Sequence, residues 1–143
     1  EDEGGRAPPH APIEARIANE KARGIAANRI VVAGFSQGCA MALLTGLRHT
    51  ERVAGIVGLS GYLPIAATTA AERHAANHDT PVFLAHGRQD PVVPLDRALQ
   101  SRDALTALGH PVEWHEYTMA HSVCMDEIAD LNRFLLRVLE TKK

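Results

Sequence analysis

The sequence predicts an α/β fold: a mostly parallel sheet of about four strands with flanking helices. Three observations carry this expectation. Short apolar, β-branched runs recur at residues 29–33, 53–59 and 81–85, and such runs suit strands covered on both faces. Segments with apolar residues at helical spacing separate them. Strand and helix then alternate to the end of the chain, the order that lays strands parallel with right-handed crossovers. With 143 residues, 45% of them hydrophobic, the chain is expected to form one domain over residues 1–143, large enough for a core of its own.

Residues 1–10 are charged and rich in Gly and Pro and read as a loop. Pro12 suits the first turn of a helix, Ile13 and Ile17 lie one turn apart, and Gly24 ends that helix at about residue 23. The run Arg29-Ile-Val-Val-Ala33 is expected as a strand buried on both faces. After the turn at 34–38, residues 39–47 are apolar on nearly every side, which marks a buried helix. Residues 53–59 give a second strand. The Ala-rich stretch at 66–76 reads as a helical piece within a longer connection, and residues 81–85 give a third strand.

Leu95, Ala98, Leu99, Leu105 and Leu108 fall at helical spacing ahead of Gly109. Residues 112–117 alternate, with Val112 and Trp114 on one side and Glu113 and His115 on the other, a pattern suited to an edge strand. The last helix is expected from Ser122, as its cap, to about Glu140, with Cys124, Ile128, Leu131, Leu135 and Val138 on the buried face.

Composition excludes several functions. A net charge of −2 gives no basic surface for nucleic acid. No apolar run approaches the ~18 residues of a membrane span. The acidic start, Glu1-Asp2-Glu3, is unlike a secretory signal, and two distant cysteines, Cys39 and Cys124, make no disulfide framework. A reducing cytoplasm is therefore expected.

Gly34-Phe35-Ser36-Gln37-Gly38 matches G-x-S-x-G where a strand ends and a buried helix begins. A nucleophile elbow needs that setting: the turn holds the serine in a strained conformation and lifts its hydroxyl to the C-terminal edge of the sheet. Glycines at 34 and 38 are expected to let helix and strand approach closely. A Gly-rich helix entry for phosphate is the rival reading, but no Lys or Gly-rich run supports it. A serine hydroxyl needs a base to take its proton. In the chain order Ser, Asp, His, the candidates are Asp90 after the third strand and His121 after the fourth. Both fall in loops at the sheet edge that carries Ser36, so successive βα loops can converge.

Asp90 before Pro91 could instead open a turn. Asp96 and Asp103 are less suited because they fall inside the next helix. Of the eight histidines, His10, His49, His74, His78 and His110 read as solvated. His86 reads as a structural hydrogen-bonding group near the site. His74 and His78 have metal-ligand spacing but no third ligand, so no metal site is assigned. Cys39, at a helix start, reads as a small packing residue rather than a reactive thiol.

Together, Gly34-Phe35-Ser36-Gln37-Gly38, His86-Gly87-x-x-Asp90-x-Val92-Val93-Pro94 and Met119-x-His121 resemble the phospholipase/carboxylesterase family, in its motif order and across nearly the whole chain. The resemblance implies an α/β-hydrolase fold and a cytoplasmic enzyme without a cofactor, acting on small-molecule carboxylic esters or acyl thioesters. It implies Ser36 as nucleophile, His121 as base, Asp90 as its orienting acid and the Gln37 backbone N–H as an oxyanion donor. The apolar loop Tyr62-Leu63-Pro64-Ile65 and the Val92 region, with Leu63 and Val92 as the site residues, are expected to line the acyl pocket, with a place in the core as the alternative.

Two features depart from the family's pattern. Cys39 stands where a second glycine is usual. No segment ahead of Ser36 matches the family's early strands or the loop that donates a second oxyanion N–H; losing one such donor costs about 100- to 1,000-fold in rate. The chain is therefore expected to be a partial α/β-hydrolase fold. In that form its first strand would lie at an open edge, and it would depend on a missing N-terminal segment or on self-association. The rival function is a non-catalytic module that binds a partner chain at that edge.

Overall fold

The computed structural model describes residues 11–63 and 74–140. Helix α1 spans Ala11–Ala22 and a 3-10 turn spans Ala27–Arg29. They lead into strand β1 (Val31–Phe35) and helix α2 (Gln37–Arg48). Strand β2 (Gly55–Leu59) and strand β3 (Val82–Gly87) follow. Helix α3 (Leu95–Ala107), strand β4 (Val112–Tyr117) and helix α4 (Met125–Glu140) complete the described chain. The Ala-rich stretch expected as helix lies largely outside the described residues, as does the loop at 1–10.

The four strands pair in parallel in the order β1-β2-β3-β4. Phe35 stands beside Leu59, Leu59 beside Ala85, and Gly87 beside Tyr117. The strands therefore end on a common rim, and the loops that follow all leave from it.

Alternation along each strand divides the core into two layers. Val32, Ile56, Val82 and Leu84 pack with Ile17 of α1, Leu43 and Leu47 of α2, and Leu105 of α3. Val112 and Trp114 join this layer, as their alternation predicts. Val57, Phe83 and Ala85 face the other way, against Phe134 and Val138 of α4. One helix thus covers most of the second face.

That uneven cover corrects the first strand. It lies at 31–35 rather than 29–33, and only Val32 is buried. Ala33 and Phe35 are exposed, because α4 packs over β3 and β4 and leaves the outer part of the second face bare. The last helix is also corrected. It starts at Met125, not Ser122, and its buried positions are Glu127, Phe134 and Val138. Ile128 is half exposed. Leu131, Leu135 and Val138 of the expected stripe do pack on the second core layer, while Phe134 joins it and Glu127 is buried in place of Ile128.

Two histidines expected in solvent are buried. His49 Nδ1 lies 2.9 Å from Glu14 Oε1, and His110 Nδ1 lies 3.0 Å from the carbonyl of Thr80. Each of these contacts holds one loop or helix to another. His74 and His78 flank a 3-10 turn at Ala75–Asn77 rather than sharing a helix face.

Candidate active site

Strand β1 passes into α2 through one residue, Ser36, whose φ is 58° and ψ −118°. Non-glycine residues rarely adopt positive φ. The amide of Ser36 donates to the carbonyl of Leu59 at 2.8 Å, which ties the turn to the end of β2. Gly34 makes the turn possible: a Cβ there would lie 1.9 Å from the carbonyl oxygen of Gly38. Gly38 itself has open space at that position. The close approach therefore requires the first glycine and not the second.

Asp90 sits in the turn after β3, with its side chain fully buried. Its Oδ1 accepts from the amides of Val92 and Val93, both at 2.8 Å. This is the turn that Asp90-Pro91 suggested, and it leaves Oδ2 for another partner. Burial pushes this carboxyl up, but the Val93 and Val92 amides and the His121 imidazole together outweigh burial and hold it below its ordinary value.

His121 follows β4. Its loop lies against the end of β3, where Arg88 and Gln89 donate backbone N–H bonds to the carbonyls of Tyr117 and Met119. A Cβ on Gly87 would lie 2.3 Å from the carbonyl oxygens of Met119 and Ala120, so only glycine admits the loop there.

The three side chains meet. Ser36 Oγ and His121 Nε2 are 2.8 Å apart, and His121 Nδ1 is 2.7 Å from Asp90 Oδ2. In the productive tautomer the Ser36 hydroxyl donates to Nε2, and Nδ1–H donates to the carboxylate. The ring of Phe35 rests against the imidazole, with centroids 5.0 Å apart.

A cavity of about 730 Å³ opens at Ser36, lined by Phe35, Gln37, Ala40, Met41, Tyr62, Val92 and Val93. Its walls are mainly apolar carbon. Gln37 is the first residue of α2, so its N–H has no acceptor within the helix. Val92 lies on the cavity wall as expected. Leu63 does not: it is buried in the core, where its amide donates to Ser101 Oγ. Its neighbour Tyr62 takes the wall position, beneath the Arg97 guanidinium at 4.3 Å. Tyr62 and Leu63 are adjacent apolar residues beyond β2, and the sequence does not say which of the two faces the cavity.

Cys39 is fully buried, and burial pushes its thiol up to about 12, so it carries no thiolate at neutral pH. Among the described residues no group of His, Cys, Asp and Glu is placed to hold a metal ion. No helix among them is long and apolar enough to cross a membrane.

A profile of the phospholipase/carboxylesterase family matches residues 2–139. Acyl-protein thioesterase 1 of Yarrowia lipolytica is 43% identical over 126 residues, covering 86% of this chain and 56% of that protein. The Neurospora crassa protein of the same name is 40% identical, covering 94% of this chain and 56% of its own length. The chain thus spans about half the length of the curated relatives it matches. Among solved structures, esterase PE8 superposes with a TM-score of 0.84 at 32% identity, covering 91% of this chain and 60% of that one. Arabidopsis thaliana SOBER1 superposes at 0.86 with 24% identity, covering 91% of this chain and 62% of that one, a likeness of fold.

Proposed function

The chain belongs to the phospholipase/carboxylesterase family, and from that premise we propose that it is a serine hydrolase that cleaves carboxylic esters or acyl thioesters. The observation that carries this reading is the unbroken hydrogen-bonded series from Ser36 Oγ through the His121 ring to Asp90 Oδ2, at 2.8 and 2.7 Å.

His121 Nε2 takes the hydroxyl proton as Ser36 Oγ attacks the substrate carbonyl. The charge that develops on the carbonyl oxygen is met by the Gln37 amide at the N-terminus of α2. The alcohol or thiol leaves with the proton from Nε2, and Ser36 keeps the acyl group. A water deprotonated by the same nitrogen then releases the acid. Asp90 holds the ring with Nε2 toward the serine and favours its positive form. The apolar wall of Phe35, Met41, Tyr62 and Val92 suits the acyl chain, and neither step needs a cofactor. A reducing, cytoplasmic setting belongs to the same reading, in keeping with two free cysteines.

A fluorophosphonate probe tests this reading. The wild-type protein is expected to label and to hydrolyse short esters. Ser36→Ala is expected to lose the label and at least about 10⁴-fold in kcat. A folded protein that neither labels nor turns over esters contradicts the reading.

A second reading rests on a separate observation. Strand β1 is at the sheet edge, with exposed Ala33 and Phe35, beside an apolar cleft lined by Ile13, Ile17, Ile30 and Val32. Such an edge can pair with a further strand or a second copy of the chain. A non-catalytic module would show concentration-dependent association in sedimentation without any labelling.

A further inference from the structure

We propose that His86 is a positioning residue: its Nε2–H grips the carbonyl of Val93 and so fixes the turn that aims Asp90 Oδ2 at His121. His86 lies on β3, fully buried, and its Nε2 is 2.7 Å from the Val93 carbonyl oxygen. A carbonyl only accepts, so the ring proton is on Nε2. Nδ1 is buried with no hydrogen-bond partner among the described residues. A proton there would be an unpaired buried donor, which agrees with the same tautomer.

The consequence reaches Asp90 through one residue, Val93. The amide of Val93 donates to Asp90 Oδ1 at 2.8 Å, while its carbonyl is held by His86. The turn 90–93 is thus fastened at its far end to a strand of the sheet rather than left to the loop. Direct pairing of His86 with Asp90 is not what holds it, because Nε2 is 3.6 Å from Oδ2, beyond a hydrogen bond. With Oδ1 taken by the turn amides, Oδ2 is the oxygen that meets His121 Nδ1, at 2.7 Å. Without the grip on Val93 the turn can rotate, and an error of about 1 Å in a positioned group can cost about 100-fold in rate.

The kinetic part of this inference rests on the proposed hydrolase function; the spectroscopic part does not. The test compares His86→Leu with His86→Gln. The Gln amide nitrogen reaches the place of the imidazole Nε2 and restores the donor. Leu fills similar space without it. Proton NMR in the low-field region reads the His121 Nδ1–H bonded to Asp90. This resonance is expected in the wild type and His86→Gln, and lost in His86→Leu. With a short ester, kcat is expected to fall about 10- to 100-fold in His86→Leu with KM within about twofold, and to stay within about threefold in His86→Gln.

A folded His86→Leu that keeps both the resonance and kcat overturns the proposal. So does a His86→Gln that loses the resonance. If His86→Leu does not fold, the resonance in His86→Gln decides alone. If the wild type shows no turnover, the hydrolase reading fails while the resonances still decide the role of His86.

Discussion

At Gly34 and Gly38 two residues of one motif carry different loads. The missing Cβ of Gly34 is occupied by the Gly38 carbonyl, while the missing Cβ of Gly38 faces open space. Gly34→Ala is therefore expected to destabilise the fold by about 1–3 kcal/mol or more. Gly38→Ala sits in a helix and is expected to be neutral or stabilising by up to about 1 kcal/mol. Thermal or urea denaturation of the two variants checks the contrast. Glu127 offers a prediction of another kind. It is fully buried in the first turn of α4, and burial raises its carboxyl, outweighing the Cys124 amide that favours the ionised form. A group whose folded-state pKa lies above its unfolded value contributes its full stability below the unfolded value and loses it as pH rises through the folded one. Glu127→Gln removes that loss. It is expected to raise Tm over the wild type at pH 7, with the difference fading below about pH 4. A Glu127→Gln variant less stable at pH 7 than at pH 4, relative to wild type, contradicts this.

At the scale of elements, α4 supplies most of the cover for one sheet face, so its register matters. Phe134 is fully buried against Phe83, with ring centroids 5.4 Å apart, whereas Ile128 is half exposed. Phe134→Ala is expected to cost about 3–5 kcal/mol and Ile128→Ala less than about 0.5 kcal/mol, measured by urea titration. The apolar spacing puts Ile128 on the inward stripe and does not mark Phe134, although Leu131, Leu135 and Val138 of that stripe do pack against the second core layer. Ser122 lies in the loop that carries His121, and its carbonyl accepts from Ser60 Oγ at 3.3 Å. Strand β4 was legible in its bounds and in the side taken by Val112 and Trp114, since apolar and polar residues alternate at its start. Strand β1 was misplaced by two residues because an apolar run marks a strand without marking its ends. Its bare outer face depends on where α4 packs, which no local pattern encodes. The buried His49 and His110 escaped for the same reason, their partners lying 35 and 30 residues away in the chain.

For the molecule as a whole, parallel strands ending on one rim are what join residues 36, 90 and 121. The Ser36–His121 contact spans 85 residues of sequence, yet it was readable because each residue follows a strand and parallel strands share a C-terminal edge. The cavity wall was only half readable: Val92 lies on it, but Leu63 gave way to Tyr62. The reading of residues 1–143 as one domain stands as a proposal that accords with two core layers on a single sheet. The most direct test of the account is intact-mass spectrometry during turnover of a slow ester, followed by peptide mapping. The account predicts a transient mass increase equal to the acyl group, located on the peptide that contains Ser36 and absent in Ser36→Ala. Turnover with no adduct, or with the acyl group on another residue, would contradict it.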